Sequence, residues 1–235
     1  RYIEINSNRR CRVIPTSGSV ENLTLLLQGE LDFAFSLANI ANDAYKAKGY
    51  FKKFSPYKIK QLLRLHDVFF TFMAKDRDQI VTLDYLEGKK IILGNNLSDS
   101  KLIYNLIKNS LNFDEEPIDT KYDLDHSVRK FCLGQVDVVF LVTGHPDALV
   151  NLITNSCNTE FIGMTDNQIK QMISGNNFFK KSVINAKNYP NISKSSNSIV
   201  VETILVTRNN VDKKIINRLL SYLTKNIKDF KASHP

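Results

Sequence analysis

The sequence predicts an α/β protein of two similar lobes joined by a pair of crossing strands. Three observations predict it. Short β-branched runs alternate with segments of helical periodicity along the 235-residue chain, the pattern of strand–helix–strand units. One phrase occurs twice in matching context: Gly29-Glu-Leu-Asp-Phe-Ala-Phe35 and Gly134-Gln-Val-Asp-Val-Val-Phe140 each lead from a helix-ending glycine through an acidic residue into an apolar strand. Two further extended runs, Val68–Met73 and Ile199–Val206, stand where a chain would cross to a second lobe and return. They place one lobe at 1–72 plus 200–235 and the other at 73–199.

Taken in order, Cys11–Pro15 reads as a short strand stopped by proline. Thr16-Ser17-Gly18-Ser19 then offers hydroxyl N-caps, with Glu21 in the first turn where its charge suits the helix dipole. Val20, Leu23, Leu26 and Leu27 share one helical face, Gly29 suits the C′ position, and Leu31–Leu37 alternates as a strand does. About a hundred residues on the layout returns. Lys89–Gly94 is a strand, and Asn95–Ser100 caps a helix carrying Leu102, Ile103, Leu106 and Ile107. Asp125 is positioned to cap a helix bearing Val128, Phe131 and Cys132, and Val136–Val142 is an apolar strand suited to the middle of a parallel sheet. Pro146 suits the first position of the next helix, Phe161-Ile162 is a short strand, and Thr165 caps a helix carrying Ile169, Met172 and Ile173. A last helix from near Asn210 carries Ile215, Ile216, Leu219, Leu220, Leu223 and Ile227. The two crossing strands form a hinge on which lobes can close, with the rotation expected near Met73 and Val206.

Composition narrows the function. The net charge of +8 raises nucleic acid as a partner, but the basic residues are scattered as Lys-Lys pairs at 52–53, 89–90, 180–181 and 213–214 and not gathered on one helix face. No nucleic-acid partner is expected. The three cysteines have no zinc spacing and the four histidines form no HxxxH pair, so neither metal nor cofactor is expected. No nucleophile elbow, P-loop or GxGxxG stands in the chain, so no catalytic residue is assigned. No run approaches the roughly 20 apolar residues that span a bilayer.

Cys132 closes one helix of the second lobe and Cys157 follows the next. The intervening strand and helix run out toward the cleft and back, returning Cys157 to the end of the sheet where Cys132 sits. A Cys132–Cys157 disulfide is therefore expected, and with it an oxidising compartment. Three unlinked buried thiols are the alternative, and Cys11 is left over in either case.

Arg12-Val-Ile-Pro-Thr-Ser-Gly-Ser-Val-Glu-Asn-Leu23 and Val142-Thr-Gly-His-Pro146 resemble two signatures of one family, the TAXI group of solute receptors serving tripartite ATP-independent periplasmic (TRAP) transporters. Asp43-Ala-Tyr45 and Tyr189-Pro190 match as well. The resemblance implies a type II periplasmic binding fold, a periplasmic location, a monomer, membrane transporter subunits as partner, and a glutamate-like or other carboxylate solute bound without chemistry. Where relatives carry Gln-Ser-Asp this chain has Leu37, Ala38 and Asn39, and where they show Gly-Ser-Gly-Thr it has Leu97, Ser98, Asp99 and Ser100, with Asp99 expected to repel an anion. The family's usual first strand and glycine-rich turn are missing, so the chain is expected to be a fragment whose first sheet has an apolar slot.

Each candidate residue has an ordinary reading beside the functional one. Thr16, Ser17, Gly18 and Ser19 are placed to hold a carboxylate through hydroxyls and helix amides, or simply to cap a helix. Ser98 and Ser100 make the same offer from the other lobe. Asn39 lies just past a strand end, where α/β clefts bind ligands, or is a turn residue. Gly144 and His145 sit on the cleft side between strand and helix, where a structural cap is the plainer role. Tyr45 and Tyr189 are candidates to close over a ligand, or half-buried packing. A surface or sensor protein that keeps the fold without the usual ligand is the alternative function.

Overall fold

The computed structural model describes residues 12–111, 118–119 and 124–228. Helix α1 (Ser19–Gln28) buries Val20, Leu23 and Leu26, and ends where Gly29 turns left-handed (φ 92°) and returns its N–H to Leu25 and Leu26. Strand β1 (Phe33–Leu37) passes directly into α2 (Ala38–Tyr45). A 17-residue strand, β2 (Ile59–Lys75), leads into the second lobe. There β3 (Lys90–Ile92), α3 (Asp99–Leu111), β4 (Ile118–Asp119), α4 (Leu124–Cys132), β5 (Val138–Thr143), α5 (Ala148–Ser156), β6 (Thr159–Ile162), α6 (Asp166–Ser174) and β7 (Phe179–Ile184) follow. The 13-residue β8 (Ser196–Arg208) returns, and α7 (Lys213–Lys225) comes last.

One mixed sheet runs β1-β8-β2-β5-β3-β4, with β6 on β2 and β7 on β8. Its spine is the antiparallel pair β2–β8. At one end β8 carries β1 along Thr203–Thr207; at the other β2 carries β5 and β6 from Phe69 to Lys75, and β8 carries β7. Two α/β lobes thus share two continuous strands. Between them the β2–β8 register slips, once between Gln61 and Leu63 and again between Arg64 and Asp67. Bulges of this kind bend strands and strengthen twist. The second slip is clamped by Arg64, which pairs with Asp67 (2.9 Å) and Glu202 (3.5 Å).

Met73 is fully buried between Val139 and Phe161, and Val206 sits between Ala34 and Gln61. Three expectations change. Arg12–Pro15 forms no strand: Val13 is 85% exposed and β1's partner among the described residues is β8 (Cys11 lies outside them). Strand β5 is parallel to β3 but antiparallel to β2, because its other neighbour is the crossing strand. Helix α5 is capped by Asp147, whose carboxylate accepts the Val150 N–H, so Pro146 precedes the cap and lies outside the helix. The capping role expected of Asp125 falls outside the described side chains.

Thr165 does cap α6, in a reciprocal box with Gln168. Apolar packing gathers into one cluster that runs through both lobes and a second around Met73, Phe131, Phe161 and Tyr189. Beside the latter, Cys132 and Cys157 form a disulfide with Cα atoms 5.4 Å apart.

Candidate functional site

Helices α1 and α3, one from each lobe, point their N-termini at the same spot. Each start is pre-shaped by its own sequence. In the first lobe the Thr16 hydroxyl donates to Asn22 Oδ1 (2.6 Å), and the Ser17 N–H donates to Glu21 Oε2 (2.8 Å). That contact holds the Glu21 carboxyl below its ordinary range. Gly18 occupies the N-cap with φ 147°, a conformation that L side chains rarely adopt. In the second lobe the Ser98 hydroxyl caps α3 by accepting the Lys101 N–H (3.1 Å) and donates back to Leu93 O (2.9 Å). The Ser100 hydroxyl accepts the Val142 N–H (3.0 Å), which ties the helix start to the end of β5.

What bridges the two is Asp99, the first residue of α3. Its Oδ1 accepts the Ser19 N–H at 2.9 Å, and its Oδ2 accepts the Ser19 hydroxyl at 3.0 Å. The same hydroxyl oxygen accepts the Leu37 N–H (2.9 Å), so Ser19, itself 1% exposed, is oriented by β1 while it grips the carboxylate. The fit at Gly18 is close: a Cβ there would lie 3.1 Å from Asp99 N and Oδ1. Burial raises the Asp99 pKa, and the two hydrogen bonds from Ser19 oppose that rise. Two helix N-termini add favourable potential for a negative charge. The expectation is that Asp99 repels an anion here; in the structure its own carboxyl group takes the donors.

The Gly144 turn is built for another purpose. Gly144 lies against the crossing strand, where a Cβ would stand 3.3 Å from His66 Cδ2. The His145 ring turns inward among Phe69, Phe161 and Tyr189. Its Nε2 meets Thr71 Oγ1 at 2.8 Å and its Nδ1 meets the Tyr189 hydroxyl, which also accepts the Asp147 N–H (2.8 Å). One proton arrangement serves every group: Tyr189 donates to Nδ1, Nε2–H donates to Thr71, and Thr71 donates to Phe69 O. It requires neutral histidine, and burial holds His145 down to about 4 against the pull of Asp147. Burial likewise pushes Tyr189 up to about 12. Tyr189 is 1% exposed, so it packs in the core with its hydroxyl engaged and does not cover the seam as a lid.

Thr16–Ser19 and Ser98–Ser100 therefore come together, with Gly144 at the neighbouring strand end. Tyr45 does not join them: at the far end of α2 it is 41% exposed and packs edge-on against Tyr57. Asn39 is the second residue of α2, two positions beyond Leu37, and its buried Oδ1 has no hydrogen-bond partner among the described residues. A cavity of about 420 Å³ opens elsewhere on the second lobe, beside Lys75, Thr82, Glu160, Gly163 and Ser196, and is lined by none of the candidate binding residues. Among the described residues no group of three His, Cys, Asp or Glu side chains is placed to hold a metal, and no helix is long and apolar enough to cross a membrane.

Two α/β lobes on a two-strand hinge, with facing helix starts at the seam, define a type II periplasmic binding fold. The chain belongs to the NMT1-like family, whose model matches residues 2–235. It is similar in structure to an ancestral arginine-binding protein bound to arginine, at 13% identity over 97% of this chain and 79% of that one, with a TM-score of 0.56. The alkanesulfonate-binding protein SsuA from Xanthomonas axonopodis pv. citri, bound to MOPS, matches at 11% identity over 99% and 69%, with a TM-score of 0.56. The substrate binding protein of an amino acid ABC transporter matches at 9% identity over 97% and 79%, with a TM-score of 0.55. At such identities the likeness is one of fold.

Proposed function

We propose that the protein is an extracytoplasmic receptor that closes two lobes on a small carboxylate solute and presents the closed form to the membrane subunits of a TRAP-type transporter. The observation that carries this reading is the convergence of α1 and α3 on a single carboxylate. The Ser19 N–H and hydroxyl with two helix N-termini are donors suited to an acidic amino acid or dicarboxylate. Because the donors and their counterpart belong to different lobes, a solute gripping both stabilises the closed state by its differential affinity. The Cys132–Cys157 bond supports an oxidising compartment, consistent with the periplasm. In this reading the working unit is a monomer. The lobes divide at Asp67/Val68 and Val201/Glu202, a few residues from the division at 72/73 and 199/200 suggested by the apolar runs.

Calorimetric titration with glutamate, aspartate and succinate tests the proposal. Binding heat is expected for at least one, with about 2.7 kcal/mol of added stability at 100 times its Kd. No heat and no melting shift across the panel would reject the carboxylate reading. Occupancy of the donor site by Asp99 favours a second reading, a sensor or surface protein that keeps the fold without a transported solute. In that case the protein responds to none of the three.

A further inference from the structure

We infer that Asp99 is an internal ligand: it fills the carboxylate site at the start of α1, holds the two lobes together without solute, and must leave before an anionic solute can enter. The inference rests on the two-lobed fold and the contacts at the seam, not on which solute, if any, is transported.

The contacts are those a bound carboxylate would make. One oxygen takes a backbone N–H at the first turn of a ten-residue helix, and the other takes the hydroxyl of the same residue. Ser19 is buried and is oriented for the task by the Leu37 N–H, a strand residue of its own lobe. The partner arrives from across the hinge, 80 positions along the chain. Gly18 leaves the space above the helix start bare of side-chain atoms, and the Asp99 carboxyl carbon lies 3.2 Å from where a Cβ would stand. An N-cap of ordinary kind is local, since it satisfies amides of its own helix. Asp99 instead satisfies a foreign one, while Ser98 caps its own helix.

Tethering makes Asp99 a strong competitor. A side chain held on a closing lobe acts as a ligand at an effective concentration of order millimolar or above. Free anions therefore bind the wild-type protein more weakly than the site itself allows. Asp99 also sets selectivity, because only a solute whose carboxylate outcompetes the tethered one can open the contact and replace it.

The test compares wild-type protein with Asp99→Ala, using acetate as the probe, by small-angle scattering and titration. Without acetate, Asp99→Ala is expected to show a radius of gyration about 1 Å above the roughly 17.5 Å of a compact chain of this length. Wild-type protein stays compact. Acetate should return the variant to the compact profile and bind it at least about tenfold more tightly than it binds wild type, whose own carboxylate no longer competes. Acetamide, lacking the charge, should do neither. Asp99→Ser, a residue that helix starts accept readily but too short to reach Ser19, serves if the alanine variant does not fold. A variant as compact as wild type overturns the inference. So does a variant that expands but binds acetate no better. A receptor without this device would still bind its own solute yet fail here, whereas a chain that transports nothing would still pass.

Discussion

The Thr16–Ser19 turn and the Thr143–Pro146 turn each lead into a helix, one in each lobe, yet they end in opposite physical states. At the first, hydroxyls and amides face a carboxylate from the other lobe, and under the proposed function each contact is exchanged for a solute's. At the second, His145, Tyr189, Thr71 and Asp147 satisfy one another in the core, and any exchange would strand a buried polar group. A conspicuous motif is thus no guide to whether a turn binds or merely holds. The deciding quantity is whether its polar groups find partners within their own lobe.

The sharpest way to break this contrast is to damage the second turn. Tyr189→Ala removes a fully buried ring and leaves His145 Nδ1 and the Asp147 N–H unpaired, so a loss of about 3–5 kcal/mol is expected in denaturant unfolding. Lobe closure should be unchanged in whatever protein remains folded. A loss below about 1 kcal/mol would mean that the network is not structural.

The His145 titration gives a somewhat smaller effect of predictable sign. Its folded pKa lies near 4, below the 6.5 of an exposed histidine, so the unfolded chain binds the proton first as pH falls. Stability should therefore be complete above pH 6.5 and decline between 6.5 and 4, by roughly 3 kcal/mol in all. Comparing unfolding of wild type and His145→Asn across that range isolates the contribution. A wild-type curve no steeper than the variant's would assign the histidine no such role.

Gly18→Ala probes the first turn and should cost the least stability, about 1 kcal/mol from its positive φ. Its new methyl group would press on Asp99, so its main effect is expected in scattering, as a more open protein. Unchanged compactness would show that the seam tolerates what the distances forbid.

Much of the fold was legible, and the exceptions have physical causes. Val20, Leu23 and Leu26 marked α1, and the Thr165 cap marked α6, because both features repeat at helical spacing near polar starts. The first half of β2, Ile59–Asp67, escaped because its two register slips break the period-two alternation by which a strand is recognised. Strand β7 escaped because Lys180, Lys181 and Ser182 fill its middle and Val183 faces solvent, leaving little apolar pattern. At the site, the hydroxyl clusters were visible as helix starts. Tyr189 carries an aromatic ring and a polar tip whether it lies on a rim or in a core, so its sequence gave no means to choose. The partnership of Ser19 with Asp99 was invisible, since nothing local to either residue encodes a contact 80 positions away. A carboxylate at a second helix start was the available signal, and it reads as repulsion until the two starts are known to face each other.

The long pair β2–β8 also imposes an order of assembly. On the proposed division, residues 68–201 hold the strands of the second lobe as one uninterrupted stretch of chain, whereas among the described residues the first lobe's β1 pairs with β8, which ends at Arg208. In order of synthesis the second lobe has all its described strands once Val201 has emerged. Residues 12–67 must wait with α1 and β1 unanchored until β8 follows. Closing so long a loop is slow on entropic grounds, so the first lobe is finished after the second.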